Sequence, residues 1–357
     1  MNTGKIYGKF NKILNLFLFS SFLILATVGF ASAQIKATSR VDFKFDKKPE
    51  KLKTTVKTKT SNYDCDQTET NYDVSEKSIA VSEKVNISIC IKEGQVKVNG
   101  WNRNEIRAFV NKGSGVGFSV LEKGKDKKAV WVKVLGYDPS KEDEDSRQEC
   151  VSGSVIELDV PFGATVNIKS GESKTTIDSV AKVFVKNVGG DIFLNNIPNG
   201  IEARTYRGNV TVKNSGGSMT LETTNGNIVA YDASSDEIGD FFRAKTNSGA
   251  ITLQKIKYRE TEVNSNSGSI NFVGEILNGG QYYFGSANSL ITLVLPENSS
   301  SKIIAVYGYG NFDSEIPMKE LKRDENSKLR SLSATFGKGE ALLNFKTVTG
   351  KIFIKKQ

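Results

Sequence analysis

A short phrase recurs through the second half of the chain: Thr or Ser, two residues, Gly, a polar residue, Ile or Val, any residue, an apolar residue. It reads Thr205-Tyr206-Arg207-Gly208-Asn209-Val210-Thr211-Val212, then Thr223-Thr224-Asn225-Gly226-Asn227-Ile228-Val229-Ala230, then Thr246-Asn247-Ser248-Gly249-Ala250-Ile251-Thr252-Leu253. Ser265-Asn266-Ser267-Gly268-Ser269-Ile270-Asn271-Phe272 and Thr347-Val348-Thr349-Gly350-Lys351-Ile352-Phe353-Ile354 repeat it. Each phrase ends in apolar residues two apart, which sends them to one face of an extended strand while the residue between them faces water. Gly with Asn or Ser just before the strand tolerates the backbone that a sharp change of direction needs. One repeat is therefore a turn and a strand.

The glycines are 18 residues apart from Gly190 to Gly208 and from Gly208 to Gly226, 23 from Gly226 to Gly249 and 19 from Gly249 to Gly268. A period near twenty, with short strands and no amphipathic helical pattern between them, predicts an all-β, parallel β-solenoid or β-helix-like stack whose coils share one core. The same spacing with Asn-Gly turns also fits hairpins, so an antiparallel β-sandwich is the alternative fold. Three regions are expected: a signal peptide over residues 1–33, a Lys/Thr-rich linker over 34–77, and a single elongated strand-repeat domain over 78–357. Residues 78–110 read as opening coils or a cap, because a bare terminal coil would offer unpaired strand edges to other chains.

The signal reading rests on Lys5, Lys9 and Lys12, the mostly apolar stretch 14–30 and the small residues Ala31-Ser32-Ala33, with cleavage expected before Gln34. No later segment is apolar enough for long enough to span a bilayer as a helix. The chain is then exported, to the periplasm, the cell surface or the extracellular space. Removing three lysines from the net charge of +9 leaves +6, a surplus that favours anionic polysaccharide, cell-wall polymer or membrane surface over nucleic acid. An oxidising compartment allows a disulfide between two of Cys65, Cys90 and Cys150, and the sequence does not choose the pair.

The chain contains no histidine, which removes the usual general base, the usual zinc ligand and every imidazole triad. No catalytic, cofactor or metal residue is assigned. Carboxylate chemistry needs two facing acids, and the densest group, Asp236-Glu237 with Asp240, reads as a solvated turn. The acidic run Glu142-Asp143-Glu144-Asp145 lacks the ligand alternation of a calcium loop. The aromatic clusters around Tyr282 and around Tyr307 and Tyr309 are candidate stacking platforms for a glycan or a partner, or core residues. Asn195, Asn225, Asn247 and Asn266 are expected to serve the turns, bonding backbone or neighbouring coils.

The ordered Gly-Asp/Asn-Ile/Val strands, the Val160-Pro161-Phe162-Gly163-Ala164 and Leu295-Pro296 phrases, the closing Thr347-Val348-Thr349-Gly350-Lys351-Ile352 and the opening Gly94-Gln95-Val96-Lys97-Val98-Asn99-Gly100-Trp101 together resemble a bacterial family, the putative-adhesin domain of unknown function built from β-strand repeats. The resemblance spans about residues 79–354. It implies a right-handed β-solenoid-like fold on exported or envelope proteins and supplies no catalytic motif. The expected function is a non-enzymatic, adhesin-like surface or periplasmic binding or scaffold protein, its partner an envelope or extracellular polysaccharide or a surface protein, with no cofactor. A carbohydrate-active β-helix enzyme and a structural spacer or assembly subunit are the alternatives. Replacing an inward-facing residue, Ile228→Ser or Ile251→Ser, is expected to cost about 2–5 kcal/mol in denaturant unfolding, from lost burial and a stranded hydroxyl; an unchanged midpoint would contradict the inward assignment.

Overall fold

Alternation at spacing two makes each repeat bury one face, and neighbouring repeats supply the partner face. The computed structural model describes residues 74–138, 147–324 and 329–357, and no described residue lies in a helix. These residues belong to one compact unit, Thr68–Gln357. The coil of residues 219–234 illustrates the plan. Met219–Asn225 runs along one sheet with Met219, Leu221 and Thr223 turned inward, Gly226 and Asn227 make the turn, and Ile228–Ser234 runs along the facing sheet with Ile228 and Ala230 inward. Asp232 then takes left-handed backbone at φ 56° and turns Ala233 into the core. The same corner recurs at Ser179, Asn196, Asn214 and Lys255, all at positive φ, each followed by a buried residue: Val180, Ile197, Ser215 and Ile256.

Coils pair in parallel. Met219 lies between Ile201 and Phe242 in register, and Ile228 between Val210 and Ile251. Two parallel ladders thus enclose one continuous core, and the parallel pairing sets aside the antiparallel sandwich. Larger side chains fill the later coils, where Phe284 stacks on Phe345 at 5.6 Å and meets Phe272 edge-on at 5.4 Å.

The coil order follows the sequence from Thr165–Asp178 to residues 281–295, then breaks. Residues 341–356 come next, and residues 301–314 lie beyond them. The other end has the same plan: residues 86–99 lie between Thr165–Asp178 on one side and Ala129–Tyr137 with Gly153–Pro161 on the other. Antiparallel strands cover both ends. Glu105–Gly113 lies on Gly153–Pro161 and against residues 74–80, and Gly115–Lys123 lies on Ala129–Tyr137. At the far end Arg330–Phe336 lies on Ser301–Gly308, with Lys319–Asp324 outside it. That outermost strand reads Lys-Glu-Leu-Lys-Arg-Asp and is exposed throughout; its charges oppose pairing with another chain.

One expected boundary moves. The first described strand starts at Val74, not Ser78, because residues 74–80 pair with residues 105–111. The charged stretch 317–332, which lacks the repeat phrase, contributes Lys319–Asp324 and the start of Arg330–Phe336 to the end cap described above. The signal segment 1–33, the rest of the linker, Cys65 and the acidic run Glu142 to Asp145 lie outside the described residues. Cys90 and Cys150 form a disulfide, with Cα atoms 4.4 Å apart and adjacent in a parallel register. It closes a separation of 60 residues, which in the chain-entropy account contributes on the order of 4 kcal/mol.

The Thr/Ser-x-x-Gly phrase has one structural cause. The side chain of Thr223 donates to the carbonyl of Gly208 in the preceding coil at 2.9 Å, Thr246 to Gly226 at 3.0 Å and Ser265 to Gly249 at 2.8 Å. A Cβ on Gly226 would stand 1.9 Å from that same Gly208 oxygen, one on Gly249 1.9 Å from Gly226 O, and one on Gly268 1.8 Å from Gly249 O. Hydroxyl and glycine therefore serve the same carbonyl, one by bonding it and the other by leaving it room. The hydroxyls form a buried ladder in register, Thr205, Thr223, Thr246, Ser265, Ser286 and Thr347. Beside it, Asn227 N–H donates to Asn209 Oδ1 at 2.9 Å and Ala250 N–H to Asn227 Oδ1 at 2.8 Å. Gly226→Ala should cost about 3 kcal/mol by overpacking against backbone, and Thr223→Val about 1 kcal/mol by loss of a hydrogen bond. Urea unfolding measures both, and a harmless Gly226→Ala would refute the close approach.

Candidate functional site

The residue before each ladder hydroxyl must point outward, since neighbours in a strand alternate. In register this position holds Lys169, Lys186, Arg204, Glu222, Lys245, Asn264, Gly285 and Lys346. Two outward columns flank it, one containing Glu202, Arg243, Glu262 and Tyr283, the other Tyr206, Thr224, Asn247, Asn266 and Val348. An open groove of about 740 Å³ runs along the sheet, lined by the central column from Lys186 to Lys346, by Tyr283 on one flank and by Tyr206, Thr224, Asn247, Asn266 and Val348 on the other. A smaller hollow of about 430 Å³ adjoins it at Glu262, Asn264 and Tyr283.

Charge in and beside the groove is arranged in two ways. Arg204 pairs with Glu202 at 3.0 Å and with Glu222 at 2.9 Å, and Arg243 pairs with Glu262 at 2.7 Å. Asn264 donates to Glu262 at 2.9 Å. The lysines of the central column have no such partner among the described residues. Tyr206 is 56% exposed, whereas Tyr283 is partly buried, and burial followed by the nearby Glu262 carboxylate pushes its phenol up. Tyr283 therefore remains a neutral O–H donor. The arrangement can bind by charge, amide hydrogen bonds and ring stacking; it presents no paired acid and base.

The candidate aromatics divide by strand parity. Tyr282 is 1% exposed and lies in the core, donating its hydroxyl to Tyr258 O at 2.8 Å and accepting from Leu277 N at 2.8 Å. Tyr307 is likewise buried, its ring 6.5 Å from that of Phe312. Neither offers a stacking face, because each sits at an inward position of its strand. Tyr309 is 74% exposed, and its N–H donates to Val348 O at 2.8 Å, which places it beside the end of the groove. Asp240 accepts from Ser235 and from Ser218, 2.7 Å for the latter, and these bonds hold its carboxyl below the usual range. It fastens the loop after Ile228–Ser234 to the turn of the preceding coil. Among the expected turn asparagines, Asn195 donates to Asp178 at 2.8 Å and Asn266 to Asn247 at 3.3 Å. The corner residues Asn196 and Asn214 and the lysine column were not singled out from sequence, although Lys245 and Lys346 each stand one residue before a recurrence of the phrase. Among the described residues no group of His, Cys, Asp and Glu is placed to hold a metal ion.

These features define a two-sheet parallel β-solenoid with a groove open along one sheet. The chain matches the family model described as Toastrack DUF4097 over residues 151–355, more than half of its length, and it belongs to that family. Among solved structures it is similar to a putative cell adhesion protein from Clostridium sporogenes ATCC 15579, at 12% identity over 80% of this chain and 100% of that one, with a TM-score of 0.23. It is also similar to putative adhesins from Parabacteroides distasonis ATCC 8503, at 10% identity over 80% and 98% with a TM-score of 0.29, and from Bacteroides fragilis NCTC 9343, at 13% over 79% and 97% with a TM-score of 0.29. At that distance these likenesses bear on neither ligand nor activity. No curated protein matches the chain.

Tyr282 makes the packing beneath the groove sensitive to alkali. Burial pushes its phenol from 10.0 up to about 12, so between those values the unfolded chain releases a proton that the folded chain keeps. The contribution is fully present below pH 10 and is lost as pH rises through about 12. Tyr282→Phe should cost about 1 kcal/mol at neutral pH while making the decline in stability above pH 10 shallower. Denaturant unfolding from neutral to alkaline pH measures both, and an unchanged alkaline slope would contradict the assignment.

Proposed function

We propose that this chain is an exported, non-enzymatic, adhesin-like binding and scaffold protein that holds an extended polymer of the envelope or the extracellular space along its outer sheet. The groove carries the reading: it runs across successive coils and is lined by cations, amides and tyrosine, a lining suited to a linear ligand and not to a compact substrate. The missing histidine and the engagement of Asp240 with serine hydroxyls support binding without turnover. Periplasm, cell surface and extracellular space all fit export by the segment 1–33.

The purified chain should be retained by cell-envelope or extracellular polymer, and Tyr206→Ala in the groove should weaken retention roughly tenfold, the size expected of an exposed ring that stacks on a ligand. Polysaccharide cleavage abolished by Asp236→Asn or Asp240→Asn would replace this reading with an enzymatic one. Concentration-dependent oligomers in sedimentation, with no retention on any polymer, would favour a spacer or assembly subunit.

A further inference from the structure

The three outward columns of the grooved sheet hold six cations, Lys169, Lys186, Arg204, Arg243, Lys245 and Lys346, against three carboxylates, Glu202, Glu222 and Glu262. Both arginines are paired, and between them they take all three carboxylates. The lysines are left over. Lys169, Lys186 and Arg204 lie directly beside one another on adjacent parallel strands, at a strand spacing of about 4.8 Å. Like charges opposite one another in a sheet repel, so Lys169 and Lys186, unlike the paired Arg204, would gain from an anion supplied from outside. The facing sheet differs: its in-register outward column Phe193, Thr211, Val229, Thr252, Asn271, Thr292 and Phe353 carries no charge until it reaches Asp313, and the column beside it holds only two lysines, Lys213 and Lys355, far apart along the stack.

Resting on the polymer-binding reading above, we propose that the ligand is a linear acidic polysaccharide, bearing carboxylates at intervals and laid along the stack over the lysine column. The column crosses seven strand intervals from Lys169 to Lys346, roughly 34 Å at the spacing of parallel strands. A compact phosphate or single sugar acid would neutralise one step of it. A polymer with a charge every ring or two meets the whole column. Tyr206 and Tyr283 supply faces on which sugar rings stack, and Asn247 and Asn264 supply amide donors and acceptors for ring hydroxyls. A bare polyphosphate would use the lysines and leave these groups idle.

Affinity electrophoresis of the purified full chain in gels containing polygalacturonate, a neutral dextran or inorganic polyphosphate tests the assignment. Retardation by polygalacturonate is expected, weakening roughly tenfold between low and physiological salt as screening sets in. The triple variant Lys186→Gln, Lys245→Gln, Lys346→Gln should lose it. The opposite-sheet triple Lys174→Gln, Lys213→Gln, Lys355→Gln, with the same change in net charge, should keep it. A melting temperature no lower in the first triple variant shows that the loss is not unfolding. Equal loss in both triple variants overturns the column as the site. Polyphosphate held as tightly, with Tyr206→Ala without effect on either polymer, overturns the sugar assignment. Dextran retained independently of salt overturns the acidic ligand and leaves the polymer-binding reading standing, whereas retention by no polymer overturns both.

Discussion

The backbone carbonyl at each glycine turn joins one coil to the next, and the two most regular features of the sequence follow from it. The following coil sends a Thr or Ser hydroxyl to that oxygen, and its own glycine passes so close that a methyl group would overlap the same atom. A buried carbonyl without a partner would be costly, and a coil held farther away would weaken the ladders on both sheets. Close approach and hydrogen bonding are thus satisfied together, coil after coil. The turn amides are met in the same manner by Asp191, Asn209 and Asn227, each accepting from the next coil.

Because that contact is local and repeated, the architecture was legible in the sequence. The spacing-two apolar residues located the core, and the period favoured a stack of coils over hairpins, although the parallel pairing itself came from the structure. The sequence was silent where pairing is not between consecutive segments. Nothing in residues 341–356 distinguishes them from any other coil, so their position between residues 281–295 and 301–314 could not be read. Nor does a strand pattern say whether Arg330–Phe336 meets its neighbour in parallel or antiparallel fashion. Tyr282 and Tyr307 illustrate a different limit: aromatics at inward and outward positions look alike until register assigns parity, and both proved to be core. The groove was hidden for the opposite reason, since its lysines are scattered in the sequence and become a line only when the phrases are stacked.

The two sheets share a core but differ outside. Outward residues do not hold the stack together, so the phrase constrains them little, and the central outward column of one sheet gathers lysines where an outward column of the other runs through Thr, Val and Phe. Repetition on the inside and freedom on the outside let one scaffold carry a different set of outward residues on each sheet without altering the contacts that make it fold. The disulfide and the charged outer strand Lys319–Asp324 belong to the same division of labour, securing the ends where repetition stops.

Residues 341–356 act as a keystone. Until they are seated, Gln281–Ser286 and Ile291–Leu295 have no mates on one side, and Ser301–Gly308 and Asn311–Ser314 none on the other. The ribosome delivers this segment after both of its neighbours. The structure therefore stays divided at one seam until synthesis has passed residue 356, and a chain released earlier carries two raw sheet edges that chaperones or proteases can recognise.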